Sequence, residues 1–218
     1  MALNLALLSD QDTAVEGHAV ESRLLELLPV RRQTVCYLPS APDPNRSWFE
    51  PRAQYYARHG LNLSYFGVET EFEAARVGEL RSCDAIHLSG GNTFRFMHWL
   101  RQRGLDEVLK DYAIAGGVLI GVSAGAIIMT PDLGTAALCG DAPYPDSKSD
   151  AGLGLVDFAV LPHFDGNAAH VDALRGYSRS FSGHVYAVPD GSALIVRDGA
   201  LSYLGPVVKA ARGELEPG

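Results

Sequence analysis

The chain has 218 residues, of which 47% are hydrophobic and 20% are charged, and its formal net charge is −8. This length and composition predict one globular domain covering residues 1–218, and they exclude a disordered or fibrous chain. The negative charge, with Arg and Lys dispersed along the sequence, argues against nucleic acid as a partner. No apolar run approaches the roughly 18 residues that a membrane-spanning helix needs, so we expect no membrane partner.

Three cysteines, Cys36, Cys83 and Cys139, are widely separated and form no C-x-x-C pair. This spacing predicts neither a zinc site nor a disulfide framework, and it is typical of a protein from a reducing compartment. The N-terminal residues lack a basic leader and include polar side chains too early for a signal peptide. We therefore expect a cytoplasmic protein without a metal or a cofactor.

Apolar runs typical of strands alternate with amphipathic stretches typical of helices before residue 130. This alternation predicts an α/β fold with a mostly parallel central sheet and helices on both faces. Strands are predicted over 3–10, 34–39, 61–68, 84–92 and the run that ends before Ser123. Helices are predicted over about 13–28, over about 71–80 and from Phe94 to about Tyr112. A further helix is predicted to carry Tyr55, Tyr56 and Arg58 and to stop at Gly60.

The chain after Met129 follows a different pattern. Residues 130–157 are rich in Pro, Gly, Asp and Ser and predict a long loop, a kind of segment that is often functional. A strand is predicted over 159–164 and a helix around 167–180. Residues 185–205 hold two Asp-Gly pairs between apolar runs, which predicts a C-terminal antiparallel hairpin.

The segment 118–129, VLIGVSAGAIIM, is the most informative part of the sequence. An apolar strand passes through G-V-S-A-G into a second apolar stretch, the pattern of a nucleophile elbow with Ser123 at its apex. Small residues at Gly121, Ala124 and Gly125 tolerate the crowding of such a turn. The Ala124 N–H lies at a helix N-terminus, where it can bind an oxyanion. The alternative is a small-residue turn in which Ser123 only caps the helix.

A serine nucleophile needs a base, and His163 is the best placed histidine. It lies at the end of the predicted strand 159–164. We expect that strand to end at the same edge of the parallel sheet as the elbow. His87 lies within a predicted strand, and His59 and His98 lie on predicted helices, so they are weaker candidates.

The sequence leaves two positions open for the acid that orients the histidine. Asp190 lies in a turn directly after a predicted strand, from which it can approach His163. An acid between the serine and the histidine is not excluded by spacing. The candidates there are Asp141, Asp146, Asp150 and Asp157.

A second oxyanion donor is expected from the segment 89–93, S-G-G-N-T, which lies between a predicted strand and a predicted helix. Its glycines allow backbone N–H groups to approach a substrate oxygen. The alternative is a plain strand-to-helix turn with Thr93 as the N-cap. A phosphate site is disfavoured because the segment lacks the spacing and the lysine of a P-loop.

Four segments in chain order resemble the peptidase E family of serine peptidases, to which aspartyl dipeptidase and cyanophycinase belong. They are LSGGNTFRFM (88–97), GVSAGAIIM (121–129), PHFDG (162–166) and VPDGSALIV (188–196). The resemblance implies a fold similar to class I glutamine amidotransferases, with a serine in place of their cysteine. It also implies small peptides as substrates, and members of this fold often form homodimers.

The resemblance also implies roles for individual residues. Ser123 would be the nucleophile and His163 the base. Gly91 and Ala124 would form the oxyanion hole, and Asn92 would line the pocket.

Two details of the resemblance bear on the acid and on specificity. Asp190 matches the position of the third member in cyanophycinase-like relatives, whereas an acid near Asp141 has been proposed for peptidase E itself. Aspartyl dipeptidase recognises the Asp side chain of its substrate with an arginine that lies after its histidine in the sequence. Here the corresponding segment is short and Arg175 is the nearest arginine, so strict Asp-X specificity is not expected.

The leading hypothesis is a serine peptidase that cuts short peptides, as an exopeptidase or dipeptidase, through an acyl-enzyme. A carboxylesterase would place its acid between serine and histidine, for example Asp157 before His184, but the chain after Ser123 is short for that class. A non-catalytic binding protein on the same scaffold is a third hypothesis. A glutamine amidotransferase is disfavoured because the nucleophile position holds Ser rather than Cys.

Overall fold

The computed structural model describes residues 3–11, 24–28, 34–145 and 147–218. Its strands are β1 (Asn4–Leu8), β2 (Thr34–Leu38), β3 (Asn62–Tyr65), β4 (Ala85–Leu88), β5 (Val118–Val122), β6 (Ala159–Pro162), β7 (Val185–Val188), β8 (Ala193–Arg197), β9 (Ala200–Leu204), β10 (Val208–Ala211) and β11 (Glu214–Pro217). Its helices are α1 (Phe49–Arg58), α2 (Val77–Leu80), α3 (Thr93–Gln102), α4 (Leu105–Ile114), α5 (Ala124–Ile127), α6 (Gly134–Leu138) and α7 (Ala168–Ser180). Residues 24–27 are also helical, and the rest of the helix predicted over 13–28 lies outside the described residues.

The larger sheet has the strand order β3-β2-β4-β5-β1-β8-β9. The strands from β3 to β1 in this order are parallel, while β8 is antiparallel to β1 and β9 is antiparallel to β8. The predicted mostly parallel central sheet is therefore confirmed. Asp198 and Gly199 form the turn between β8 and β9, as expected for the predicted C-terminal hairpin.

Helices cover both faces of this sheet, because side chains that alternate along its strands are buried on both sides. On β1, Leu7 belongs to an apolar cluster with Met97 of α3 and Leu109 of α4. The next residue, Leu8, belongs to the cluster on the opposite face with Tyr56 of α1. Because helices cover both faces, a ligand can reach the sheet at the carboxyl ends of its parallel strands.

A second sheet has the order β11-β10-β7-β6, with β6 parallel to β7 and the other pairs antiparallel. The strand before His163 is β6, so the expectation that this strand shares a sheet with the elbow is wrong. Leu161 of β6 packs with Leu174 of α7 and Ala210 of β10, and these contacts hold β6 in the second sheet. An apolar run predicts a strand but not the strand with which it pairs.

The chain crosses between the two sheets at one of the Asp-Gly pairs. Asp190 and Gly191 join β7 of the second sheet to β8 of the central sheet, so this pair does not form a hairpin turn. The residues after 205 form the antiparallel pair β10–β11, which was not predicted.

Two predicted helices differ from the observed ones. The stretch from Phe94 to Tyr112 is divided at Gly104 into α3 and α4. The helix predicted over 71–80 is a short 3₁₀ turn, Ala74–Arg76, followed by α2.

Cys36 and Cys83 are joined by a disulfide, with their Cα atoms 6.0 Å apart. The expectation of no disulfide is therefore wrong for this pair. The two cysteines are 47 positions apart in the sequence, and the pairing of β2 with β4 brings them together, so their spacing carried no signal. The cysteine argument for a reducing compartment no longer holds. Among the helices of the described residues, none is long and apolar enough to cross a bilayer.

Candidate active site

Ser123 lies in the tight turn between β5 and α5, with φ 52° and ψ −109°. A positive φ is unfavourable for any residue with a side chain, so the surrounding packing must hold this conformation. A Cβ atom at Gly121 would lie 2.3 Å from the Gly125 carbonyl oxygen, and one at Gly125 would lie 2.1 Å from the Leu88 carbonyl oxygen. The crowding that the G-x-S-x-G pattern predicts is present on both sides of the serine. The Ser123 N–H donates to the Leu8 carbonyl at 2.9 Å, which ties the turn to β1.

His163 and Asp190 extend from Ser123 in a hydrogen-bonded line. His163 Nε2 lies 2.9 Å from Ser123 Oγ, and His163 Nδ1 lies 2.7 Å from Asp190 Oδ1. The His163 and Asp190 side chains are 43% and 61% exposed, so the line faces solvent. This arrangement allows the imidazole to accept the serine proton at Nε2 while the carboxylate holds the proton on Nδ1.

Ser9, which was not predicted as a site residue, forms hydrogen bonds with both Asp190 and His163. The fully buried residue follows β1, and its Oγ donates to Asp190 Oδ1 at 2.8 Å. The same Oγ accepts a hydrogen bond from the His163 backbone N–H at 2.8 Å. Next to it, Asp10 Oδ1 accepts from the Gly191 N–H at 2.7 Å. The only signal in the sequence was a polar Ser-Asp pair at the end of a buried strand.

The backbone at Gly91 has φ 132°, and a Cβ atom there would lie 2.1 Å from Ser40 Oγ. Ser40 also donates from its Oγ to the Gly90 carbonyl and from its N–H to Ser89 Oγ, which holds the glycine segment in place. Among the described residues, neither the Gly91 N–H nor the Ala124 N–H donates a hydrogen bond within the protein. Both groups are therefore free to bind an oxygen of another molecule.

Asn92 has two contacts that were not predicted. Its Oδ1 accepts from the Arg95 N–H at 2.8 Å, so Asn92 rather than Thr93 caps α3. Its Nδ2 donates to the Ala142 carbonyl at 2.8 Å and holds the segment after α6 against α3. The stretch 130–157, predicted as a long loop, thus contains the short helix α6.

A cavity of about 520 Å³ opens beside these residues. Its lining includes Ser123, His163, Gly90, Gly91, Asn92, Ser9, Asp10, Tyr37, Trp48, Arg52, His87 and Arg95. The serine and the glycine segment thus border one space, large enough for a short peptide.

The alternative acids lie elsewhere. Asp141 Oδ2 accepts from the Thr93 N–H at 2.8 Å, at the start of α3. Asp157 and His184, the pair considered for an esterase, both border a separate cavity of about 470 Å³. Asp150 is exposed, and Asp146 lies outside the described residues.

Two other residues considered from the sequence, His87 and Arg175, lie outside the hydrogen-bonded line from Ser123 to Asp190. His87 is buried in β4, and its Nδ1 lies 2.9 Å from the Tyr56 hydroxyl oxygen. Burial, aided by the nearby Arg52 charge, lowers the pKa of His87 to about 3, so this imidazole is neutral near pH 7. Arg175, the arginine nearest to the segment after His163, is exposed on α7 and is not among the described residues that line the 520 Å³ cavity.

The known proteins to which this chain is similar include several peptidases. A curated, uncharacterized peptidase of Listeria innocua is 30% identical over 174 residues, which are 76% of this chain and 81% of that protein. A peptidase E of Escherichia coli is 27% identical over 166 residues, covering 74% of this chain and 69% of that protein. A crystal structure from Listeria monocytogenes EGD-e, assigned provisionally as a peptidase E protein, superposes with a TM-score of 0.74 at 25% identity. The superposition covers 94% of this chain and 98% of that protein.

The sequence model of peptidase family S51 matches residues 5–204. This match begins in β1, ends in β9 and includes all the residues of the hydrogen-bonded line. The protein therefore belongs to peptidase family S51 and is a serine-type peptidase.

Proposed function

We propose that this peptidase hydrolyses short peptides, as an exopeptidase or dipeptidase, through an acyl-enzyme on Ser123. The observation that carries the proposal is the line of hydrogen bonds from Ser123 through His163 to Asp190, which begins at the wall of the cavity. Each member has the chemical group that its role requires: a hydroxyl nucleophile, an imidazole base and a carboxylate.

In the first half of the reaction, Ser123 Oγ attacks the carbonyl carbon of the scissile peptide bond. The serine proton passes to His163 Nε2, and Asp190 stabilises the imidazolium through the hydrogen bond at Nδ1. The tetrahedral intermediate then breaks its C–N bond, and the leaving amine takes the proton from His163. The acyl group remains as an ester on Ser123.

In the second half, water attacks the ester carbonyl and gives its proton to His163 Nε2. The new intermediate releases the carboxylic acid product, and His163 returns the proton to Ser123 Oγ. Both halves use the same base, which alternates between accepting and donating one proton.

The oxyanion of both intermediates would be bound by the N–H groups of Gly91 and Ala124. Support comes from the absence of any acceptor for these two N–H groups among the described residues. Ser40 holds the Gly91 segment, so the donors are oriented before the substrate arrives, and such preorganisation is what stabilises a developing charge. Asn92 would line the pocket beside them.

The test is peptide hydrolysis by the wild type, Ser123→Ala and Ser82→Ala, with a library of dipeptides, tripeptides and blocked peptides read by mass spectrometry. Ser82 is exposed, so Ser82→Ala is a matched control. We expect the wild type and the control to release the same products. We expect Ser123→Ala to be slower by about 10⁴-fold or more, because removal of a nucleophile removes the covalent route.

The products also identify the cleaved end, since an exopeptidase leaves one terminal residue or dipeptide from each substrate. Cleavage by Ser123→Ala at the wild-type rate would contradict the proposal. Hydrolysis of simple esters but of no peptide by the wild type would replace it with an esterase.

A further inference from the structure

The wall of the Ser123 cavity contains a positive charge that has no ion-pair partner among the described residues. Arg52 lies in α1, is half-buried and lines this cavity. Within the described ranges of the chain, its guanidinium makes no hydrogen bond and no ion pair. A second arginine of the same wall, Arg95, differs because Glu69 holds it with two hydrogen bonds of 2.9 Å.

Among the described residues, no carboxylate forms an ion pair with Arg52. His87 is neutral near pH 7, and the Arg52 charge itself contributes to lowering its pKa. The Asp43 carboxylate accepts from the N–H groups of Trp48 and Phe49 and from Ser47 Oγ. The Asp10 carboxylate accepts from the Gly191 N–H.

We propose that Arg52 forms the subsite for a carboxylate of the substrate peptide, and this inference rests on the proposed function. A partly desolvated guanidinium without an anion is unfavourable, and a carboxylate would form two parallel charge-assisted hydrogen bonds with it. A short peptide can present this group at its C-terminus or on an acidic side chain. The site therefore selects peptides that place a carboxylate within the cavity.

Trp48 extends the same wall with an apolar surface. It lies four residues before Arg52, borders the cavity and is 69% exposed. Trp48 is the N-cap residue of α1, and it lines the same cavity as Arg52. An apolar side chain next to the carboxylate, such as leucine, suits this pair of groups.

The test uses four probes that separate the two sources of the carboxylate: Asp-Leu, Asn-Leu, Asp-Leu-amide and Asn-Leu-amide. We measure kcat/KM by leucine or leucinamide release for the wild type, Arg52→Gln, Arg52→Lys and Arg58→Gln. Arg58 is an exposed arginine of the same helix that is not among the described residues lining the cavity, so its variant controls for the loss of one positive charge.

We expect the wild type to prefer one carboxylate over its amide by about tenfold or more. A preference for free acid over C-terminal amide would assign Arg52 to the C-terminus, and a preference for Asp over Asn would assign it to the side chain. Arg52→Gln would lose that preference, and its rate on Asn-Leu-amide, which has neither carboxylate, would fall less than its rate on the preferred probe. Arg52→Lys would retain part of the preference because it keeps the charge but not the planar fork. Arg58→Gln would behave as the wild type.

A wild type without preference for either carboxylate overturns the inference, as does a preference that survives in Arg52→Gln. An equal loss on all four probes in Arg52→Gln also overturns it, because that pattern reports a structural role. Failure of the proposed function is a separate outcome. If no probe is cleaved, calorimetry of the four probes with Ser123→Ala and Ser123→Ala/Arg52→Gln measures the same preference as a ratio of dissociation constants. Absence of binding or of a preference there overturns the inference too.

Discussion

The central sheet and the second sheet contribute to the candidate site in different ways. The central sheet contributes Ser123, whose position is held by backbone packing around Gly121 and Gly125. The second sheet contributes His163, at the end of β6, and leads through β7 to Asp190; these side chains are about half exposed and are held by hydrogen bonds. The nucleophile is therefore positioned by close packing and its partners by polar contacts.

Two histidines illustrate the same difference. His87 of the central sheet is buried between its neighbours, bonded to Tyr56 and kept neutral by burial. His163 follows the second sheet, has a positive φ of 56° and contacts Ser123 and Asp190. An imidazole that must gain and lose a proton needs the second kind of surroundings, with solvent and a carboxylate at hand.

After the loss of the nucleophile itself, the largest expected effect is on the link between His163 and the acid. We expect Asp190→Asn to lower kcat by about 10³-fold or more, because the amide cannot stabilise the imidazolium and favours the wrong tautomer. The matched control is Asp198→Asn, which changes the second Asp-Gly pair of residues 185–205, in the β8–β9 turn. A loss of less than about tenfold in Asp190→Asn would show that the exposed carboxylate contributes little.

A smaller effect is expected where β1 supports both partners. Ser9→Ala removes a hydroxyl that bonds Asp190 and the His163 N–H, so we expect kcat to fall by about tenfold with KM unchanged. The matched control is Ser192→Ala, which removes a buried hydroxyl without a hydrogen-bond partner among the described residues. In the Asp190→Asn background, Ser9→Ala should have a smaller effect than alone, because residues that share a network are not additive. Equal effects in both backgrounds would argue that Ser9 acts independently of the acid.

The smallest effect on activity is expected at His87, where the change is in stability instead. The pKa of His87 is lowered to about 3 in the folded protein, below the ordinary value of about 6.5. The unfolded chain therefore binds a proton that the folded protein does not between these pH values. This contribution to stability is complete above about pH 6.5 and is lost as the pH falls, at about 1.4 kcal/mol per pH unit.

Urea unfolding of the wild type and His87→Gln between pH 6.5 and pH 4 measures this contribution. We expect the free energy of unfolding to fall less steeply with decreasing pH in the variant, whatever its stability at pH 7. Parallel curves for the two proteins would contradict the neutral, buried state of His87. The two proteins should differ in kcat far less than the wild type and Asp190→Asn do.

Much of the central sheet could be predicted because its signals are local. Strand and helix patterns before residue 130 lie in consecutive residues, and the turn at Ser123 requires small neighbours two positions away on either side. The helix predicted around 167–180 was also found, as α7. Errors arose where pairing decides the structure, as in the assignment of β6 to the wrong sheet and of Asp190 and Gly191 to a hairpin.

Several contacts that join distant parts of the chain could not be predicted. Ser9 and Asp190 are 181 positions apart and meet only because β1 lies next to β8. Three strands (β3, β4 and β5) and three helices (α2, α3 and α4) lie between Arg52 and Ser123 in the sequence. That Arg52 has no ion pair with any described residue is visible only once its neighbours are placed. Cys36 and Cys83 were judged by spacing, while the pairing of β2 with β4 brought them together.

The sequence by itself determined the α/β class, the strand-turn-helix at Ser123 and the residue types of the serine, histidine and acid. These features depend on short-range sterics and periodicity, which consecutive residues encode. The tertiary structure alone decided that a second sheet carries the histidine, that Ser9 supports it and that Arg52 lines the cavity without an ion pair to any described residue. Those facts depend on which strands pair and which side chains find partners, and the free energies that settle such choices come from contacts across the whole fold.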